Sequence, residues 1–166
     1  MKKKDFAVFS FILAVAALLA YLWLSPSGHP VAPTAAFKDL HGKQFTLAEL
    51  NGRPVIINFW ATTCPGCVKE IPVLIQMADK YAAQQLQIIG VSMNYDPESQ
   101  VREMVKQKKM NYTIVLDSSG ELARTFNNVT LTPTTFFINK QGQIIKHKLG
   151  EMSHNEMENN IQQIML

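Results

Sequence analysis

From Phe6 to Leu24 the chain runs nineteen positions without a charged residue, and only Ser10 and Tyr21 carry hydroxyls. At a rise of ~1.5 Å per residue this pattern predicts a helix of roughly 28 Å, close to the hydrocarbon thickness of a bilayer. Lys2, Lys3 and Lys4 precede the run, and Tyr21 and Trp23 stand near its far end, where interfacial aromatics belong. A basic cytoplasmic start over 1–5, a single-pass inner-membrane anchor over 6–24 and a periplasmic or otherwise extracytoplasmic remainder follow from that charge asymmetry. The run is longer than the ~7–15 apolar residues of a cleaved signal peptide; removal at the small residues Ala32, Ala35 and Ala36 is the alternative. Residues 25–34 (SPSGHPVAPT), with three prolines and a glycine, predict an extended tether.

Beyond the tether, over 35–166, apolar runs alternate with helical spacing. Phe37 to Leu50 predicts a short hairpin turning at His41-Gly42-Lys43. Val55 to Trp60 and Leu86 to Met93 read as buried strands. Pro65 to about Lys80 places Val68, Ile71, Leu74, Ile75 and Ala78 at helical spacing, and Asp96-Pro97-Glu98 reads as an N-cap followed by proline, opening a helix to about Lys109. Tyr112 to Leu116 predicts a strand and Gly120 to Phe126 a short helix. Thr134 to Ile138 and Ile144 to Leu149 form two strands around an Asn139–Gly142 turn. Ser153, with Glu156 three residues on, caps a closing helix to Met165. The alternation predicts an α/β fold, a mixed central sheet covered on both faces.

Composition changes this picture little. The formal net charge is +3, but Lys2–Lys4 and Asp5 supply +2 of it, so the body of the chain is nearly neutral. That balance excludes a basic nucleic-acid-binding face, and Lys106, Lys108 and Lys109 read as one solvated helix end.

The candidate chemistry lies in the two cysteines, Cys64-Pro65-Gly66-Cys67. The first follows a buried strand and the second lies just inside a helix. A thiolate, not a thiol, attacks disulfides, and the unpaired N–H groups and positive dipole end of a helix favour the anion. Cys64 is expected exposed at the helix tip, with Cys67 deeper and placed to resolve a mixed disulfide. Three other readings compete. A structural disulfide closing so small a loop would be a poor staple. A zinc site would want a second ligand pair, and His29, His41, His147 and His154 are scattered. Two coincidental core cysteines are the third. No metal and no cofactor is called for.

Phe59-Trp60-Ala61-Thr62-Thr63-Cys64-Pro65-Gly66-Cys67 resembles the thioredoxin active-site segment, and Val68-Lys69-Glu70-Ile71-Pro72 narrows the likeness to the membrane-tethered TlpA/ResA type. The resemblance spans roughly residues 36–165. It implies a thioredoxin fold with an N-terminal β-hairpin and an inserted helix and strand. Its implied activity is extracytoplasmic thiol:disulfide exchange, as a reductant of protein substrates such as apocytochrome c, fed by a membrane thiol donor. Cys64 matches the nucleophile, Cys67 the resolving cysteine and Pro133, after Thr132, the cis-proline facing them. Trp60, Pro65 and Gly66 complete the implied substrate surface, with a bulky core residue as the other reading of Trp60. Glu70 matches the family's acidic residue, either a proton relay or a plain helix-surface glutamate. Pro72 matches a helix-kinking proline. Four departures leave the redox direction open: Asn58 where thioredoxin has a buried acid, Thr63 for a tryptophan, Leu131 for a glycine, and Pro-Gly for Gly-Pro.

A disulfide-donating oxidant runs the same chemistry backwards. A peroxiredoxin-like peroxidase would need a hydroxyl at position 61 and a proline at 57, where Ala61 and Ile57 stand. A non-catalytic thioredoxin-fold adaptor would not depend on the cysteines.

Overall fold

The computed structural model describes residues 3–24 and 28–166, with side chains from 10–21 and 28–166. The start of the basic segment, the side chain of Trp23 and the first residues of the tether lie outside the described residues. The apolar run forms helix α1 (Lys3–Leu24), whose described side chains are all exposed, Phe11 and Leu19 among them. Among the described residues no helix is long and apolar enough to cross a membrane; in α1 the described side chains cover only residues 10–21.

Strands β1 (Ala36–Lys38) and β2 (Gln44–Thr46) pair antiparallel, with Phe37 opposite Phe45 and their rings stacked at 5.3 Å. Asp39 Oδ1 closes the turn by accepting from His41 N and Lys43 N, and Gly42 takes the left-handed conformation (φ +87°) that the tight return requires. The remaining elements follow in chain order: β3 (Val55–Trp60), α2 (Pro65–Lys80), β4 (Gln87–Ser92), α3 (Glu98–Lys108), β5 (Thr113–Leu116), α4 (Glu121–Thr125), β6 (Thr134–Ile138), β7 (Ile144–Leu149) and α5 (His154–Met165).

The five-stranded sheet has the order β5-β4-β3-β6-β7; β3, β4 and β5 are parallel, and β6 and β7 run antiparallel to their neighbours. Every residue of β3 is buried, as expected of a central strand covered on both faces. Ile56 and Phe137 pack under α2 and α5 with Leu74, Met157 and Ile161. On the opposite face Phe37, Phe59, Phe126 and Phe136 form one aromatic cluster with Ile57 and Val91. Trp60, Cys67, Ile71, Val101 and Ile114 make a third cluster, which ties α2 and α3 to the sheet directly behind the cysteine loop.

Two expectations are revised. The second half of the tether is docked rather than extended: Ile144 N donates to Pro30 O and Ala32 N to Gly142 O, both at 2.8 Å, so residues 30–32 cover one end of edge strand β7. Asp96 does not cap α3; the cap position falls on Pro97, and the Asp96 side chain turns toward the cysteine loop. The helix α2 spans Pro65 to Lys80 as expected, continuing through Pro72 with the loss of one backbone bond there.

Candidate active site

The six buried residues of β3 deliver the chain to Trp60, residues 61–64 turn it, and Pro65 starts α2 with a ring that needs no N–H at that position. Cys64 occupies the cap of α2. Its Sγ accepts from the backbone N–H of Cys67 at 3.2 Å, so the helix tip supplies a donor to that sulfur. The two cysteines are joined as a disulfide with Cα atoms 5.3 Å apart. They differ in access: Cys64 is half-buried, and Cys67 is 2% exposed against Trp60 and Ile71. An outside thiol or disulfide can therefore reach the first sulfur and not the second.

The Thr132–Pro133 bond is cis. Pro133 faces the cysteine loop: a Cβ built on Gly66 would stand 3.7 Å from Pro133 Cδ. The carbonyl of Pro133 is already taken by Gly150 N (2.8 Å), and that of Leu131 by Thr134 Oγ1 (2.7 Å). Around this contact the surface is partly apolar, with Pro65 exposed and Leu131 61% exposed.

Glu70 lies one turn beyond Cys67 and is 2% exposed, which removes the reading of a plain surface glutamate. Its Oε1 accepts from Met152 N (3.0 Å) and its Oε2 from Asn58 Nδ2 (3.1 Å); Asn58 Nδ2 also donates to Thr135 Oγ1 (2.9 Å). Burial pushes the Glu70 carboxyl up from its usual range to about 7, against the pull of those two donors, with the nearby Glu151 and Glu156 charges adding to the rise. A buried acid that titrates near neutrality can both hold and release a proton under working conditions. Asn58 thus does not leave the strand position idle: it is one of Glu70's two hydrogen-bond donors.

Trp60, expected on the substrate surface, is 2% exposed and belongs to the core behind Cys67. It follows Ile56 and Asn58 on the alternating face of β3 that packs toward α2, so it supports the site from beneath.

One residue that the sequence offered only as a helix cap is built into the site. Asp96, buried to 8% exposure, accepts from Thr62 N at 2.7 Å and from the Thr62 hydroxyl, and so fixes the turn two residues before Cys64. Replacing Asp96 with Ala leaves that N–H without its acceptor and should lower unfolding free energy by about 1–3 kcal/mol. Asp96→Asn, which keeps an acceptor oxygen, should lose less; equal urea midpoints for wild type and Asp96→Ala would remove this role. The bond also occupies the Thr62 hydroxyl, while Ala61 and Ile57 are fully buried apolar residues, so peroxidase chemistry has no hydroxyl in register here. Among the described residues there is no group of three or more His, Cys, Asp or Glu that could hold a metal ion.

This geometry has relatives. The Redoxin family profile matches residues 26–165. The thiol-disulfide oxidoreductase ResA of Bacillus thuringiensis subsp. konkukian is 32% identical over 133 residues, covering 80% of this chain and 76% of that protein. The sporulation thiol-disulfide oxidoreductase A of Bacillus subtilis is 26% identical over 161 residues, covering 95% and 96%. Among solved structures, a thiol:disulfide interchange protein of the thioredoxin family from Chlorobium tepidum superposes with a TM-score of 0.77 at 26% identity, covering 86% of this chain and 100% of that one.

Proposed function

The chain belongs to the Redoxin family as a thioredoxin-like thiol-disulfide oxidoreductase of the TlpA/ResA type, and from that premise we propose that it is a membrane-anchored reductant of extracytoplasmic protein disulfides, with cytochrome c maturation as the kind of pathway it serves. The observation that carries the reading is the asymmetric pair: a reachable sulfur at a helix tip, a buried partner, and a cis-proline against them.

In the forward direction the Cys64 thiolate attacks one sulfur of a client disulfide. A mixed disulfide forms and the client's other sulfur leaves as a thiolate. The Cys67 sulfur, losing its proton, then attacks Cys64; the client's second thiolate leaves and the Cys64–Cys67 disulfide is restored. Two electrons have passed to the client. Glu70 takes the Cys67 proton, since it lies one turn away on the same buried side of α2 and has an affinity suited to accepting it. The client segment lies across Pro133 and Gly66, with the backbone of Thr132 as its pairing partner, because the carbonyls on either side of Thr132 are engaged within the chain. A membrane dithiol donor returns the pair to its reduced form.

Anchoring rests on the sequence from Phe6 to Leu24, on the lysines ahead of it and on an apolar helix whose described side chains are all exposed. Such a surface calls for an apolar surrounding. The segment division at 1–5, 6–24 and a linker is kept in this reading, with the folded domain beginning at Pro30 rather than at 35.

One labelling experiment addresses place and direction together. Intact cells carrying the full chain are treated with a membrane-impermeant maleimide. Labelling of the cysteines without prior reduction, on protein that stays in the carbonate-washed membrane pellet, is the expected result. Labelling only after an added reductant would instead favour a disulfide donor, and labelling only after lysis would overturn the location.

A further inference from the structure

Three consecutive residues after β7 each touch a different part of the active site. Gly150 N donates to the carbonyl of cis-Pro133, and Met152 N donates to Glu70 Oε1. Glu151 lies between them, its backbone held on both sides. Its Oε1 accepts from Lys69 Nζ at 2.7 Å, while its Oε2 is turned over the cysteine loop, 3.4 Å from where a Cβ on Gly66 would stand and beside Pro133. The carboxylate is thus a charged group placed on the face formed by Gly66 and Pro133, next to exposed apolar surface at Pro65 and Leu131.

We propose that Glu151 is a specificity-determining residue of the exchange reaction, selecting client cysteines flanked by lysine or arginine. The inference deepens the function proposed above and rests on it. A client joined to Cys64 through a mixed disulfide lays its neighbouring residues against Gly66 and Pro133, the face that Oε2 overlooks. An ionised carboxylate has about four acceptor sites, so a second cation can join without displacing Lys69. The Lys69 and Glu151 side chains are 75% and 47% exposed, so their own pairing is weak and readily shared. An acidic neighbour in the client would meet like charge at the same place.

The test uses the full chain, reduced, with three disulfide peptides that differ only in carrying Lys, Gln or Glu beside the cysteine. At low salt the Lys peptide should be reduced about 5–20 times faster than the Glu peptide. The ratio should fall toward one in ~0.5 M NaCl as screening shortens the range of the interaction. Glu151→Gln should flatten the series, Glu151→Lys should invert it, and Lys69→Gln should widen it; a merely structural role would slow all three peptides alike. An unchanged order and spread in Glu151→Gln and Glu151→Lys overturns the proposal. If wild type reduces all three peptides equally, the selectivity inference fails and the exchange function stands. If it reduces none of them, the function itself fails.

Discussion

Cys64→Ser will reduce protein-disulfide exchange by about three orders of magnitude or more, to the uncatalysed background. Cys67→Ser will stop turnover one step later, with the client trapped on Cys64. The difference follows from access. Cys64 sits at the cap of α2, half-buried, with the Cys67 N–H directed at its sulfur, so it can meet a client and is stabilised as an anion. Cys67 is sealed against Trp60 and Ile71 and can attack only a sulfur already bound at position 64. Non-reducing gels of the two variants incubated with a disulfide-containing client distinguish the outcomes: no adduct with the first, a reducible adduct with the second. Adducts of equal yield on both variants would show that the order of attack has been assigned wrongly.

Glu70→Gln should slow exchange by about 10- to 100-fold near neutral pH and remove the arm of the pH–rate profile that titrates near 7, the value to which burial lifts this carboxyl. Stability should respond in the opposite sense. The folded-state value lies above the ordinary 4.5, so the native protein holds this proton more tightly than the unfolded chain does. The associated stabilisation is complete below about pH 4.5 and is lost as pH rises through about 7, a fall of about 3 kcal/mol for a shift of this size. Glutamine carries no such proton, so the variant should lack this fall and gain on wild type between those limits. Its amide can keep the local bonds: the oxygen accepts from Met152 N, and rotation of the Asn58 amide presents Asn58 Oδ1 to the new NH2 while the Thr135 hydroxyl donates back. Parallel stability curves for the two proteins between pH 4 and 8, with unaltered rates, would place the working proton elsewhere.

The parts of this structure that were legible in the sequence are those specified locally. Strand β3 is a mostly apolar run, α2 begins at a proline behind it, β6 and β7 flank an Asn–Gly-bounded turn, and Ser153 accepts from Glu156 N as its spacing predicts. What was not legible depends on which face meets which. Glu70 could have been recognised as buried, because Cys67, Glu70, Ile71 and Leu74 fall at i, i+3, i+4 and i+7, all on the inner stripe of α2. Trp60 likewise shares its alternating face with Ile56 and Asn58. Asp96 offered no such signal: Asp-Pro-Glu reads as a helix start from either partner's viewpoint, and only the fold brings residue 96 to Thr62 across 34 positions. Glu151 was equally silent, since its place over Gly66 is set by the pairing of β6 with β7 and the return of the chain across α2.

The clasp that residues 30–32 make on the edge of β7 sets the length of the leash. Between Leu24 and Pro30 only five residues remain, and at ~3.5 Å each no more than about 20 Å of chain can separate the helix from the domain. On the anchored reading the tie falls at the Ile144 end of β7, level with Val55 at the start of β3, so the end of the sheet opposite the cysteine loop is the one held close to the lipid headgroups. The cysteine loop then lies a strand's length away from the clasp, about 20 Å, at the end of the domain that clients in the surrounding fluid can approach.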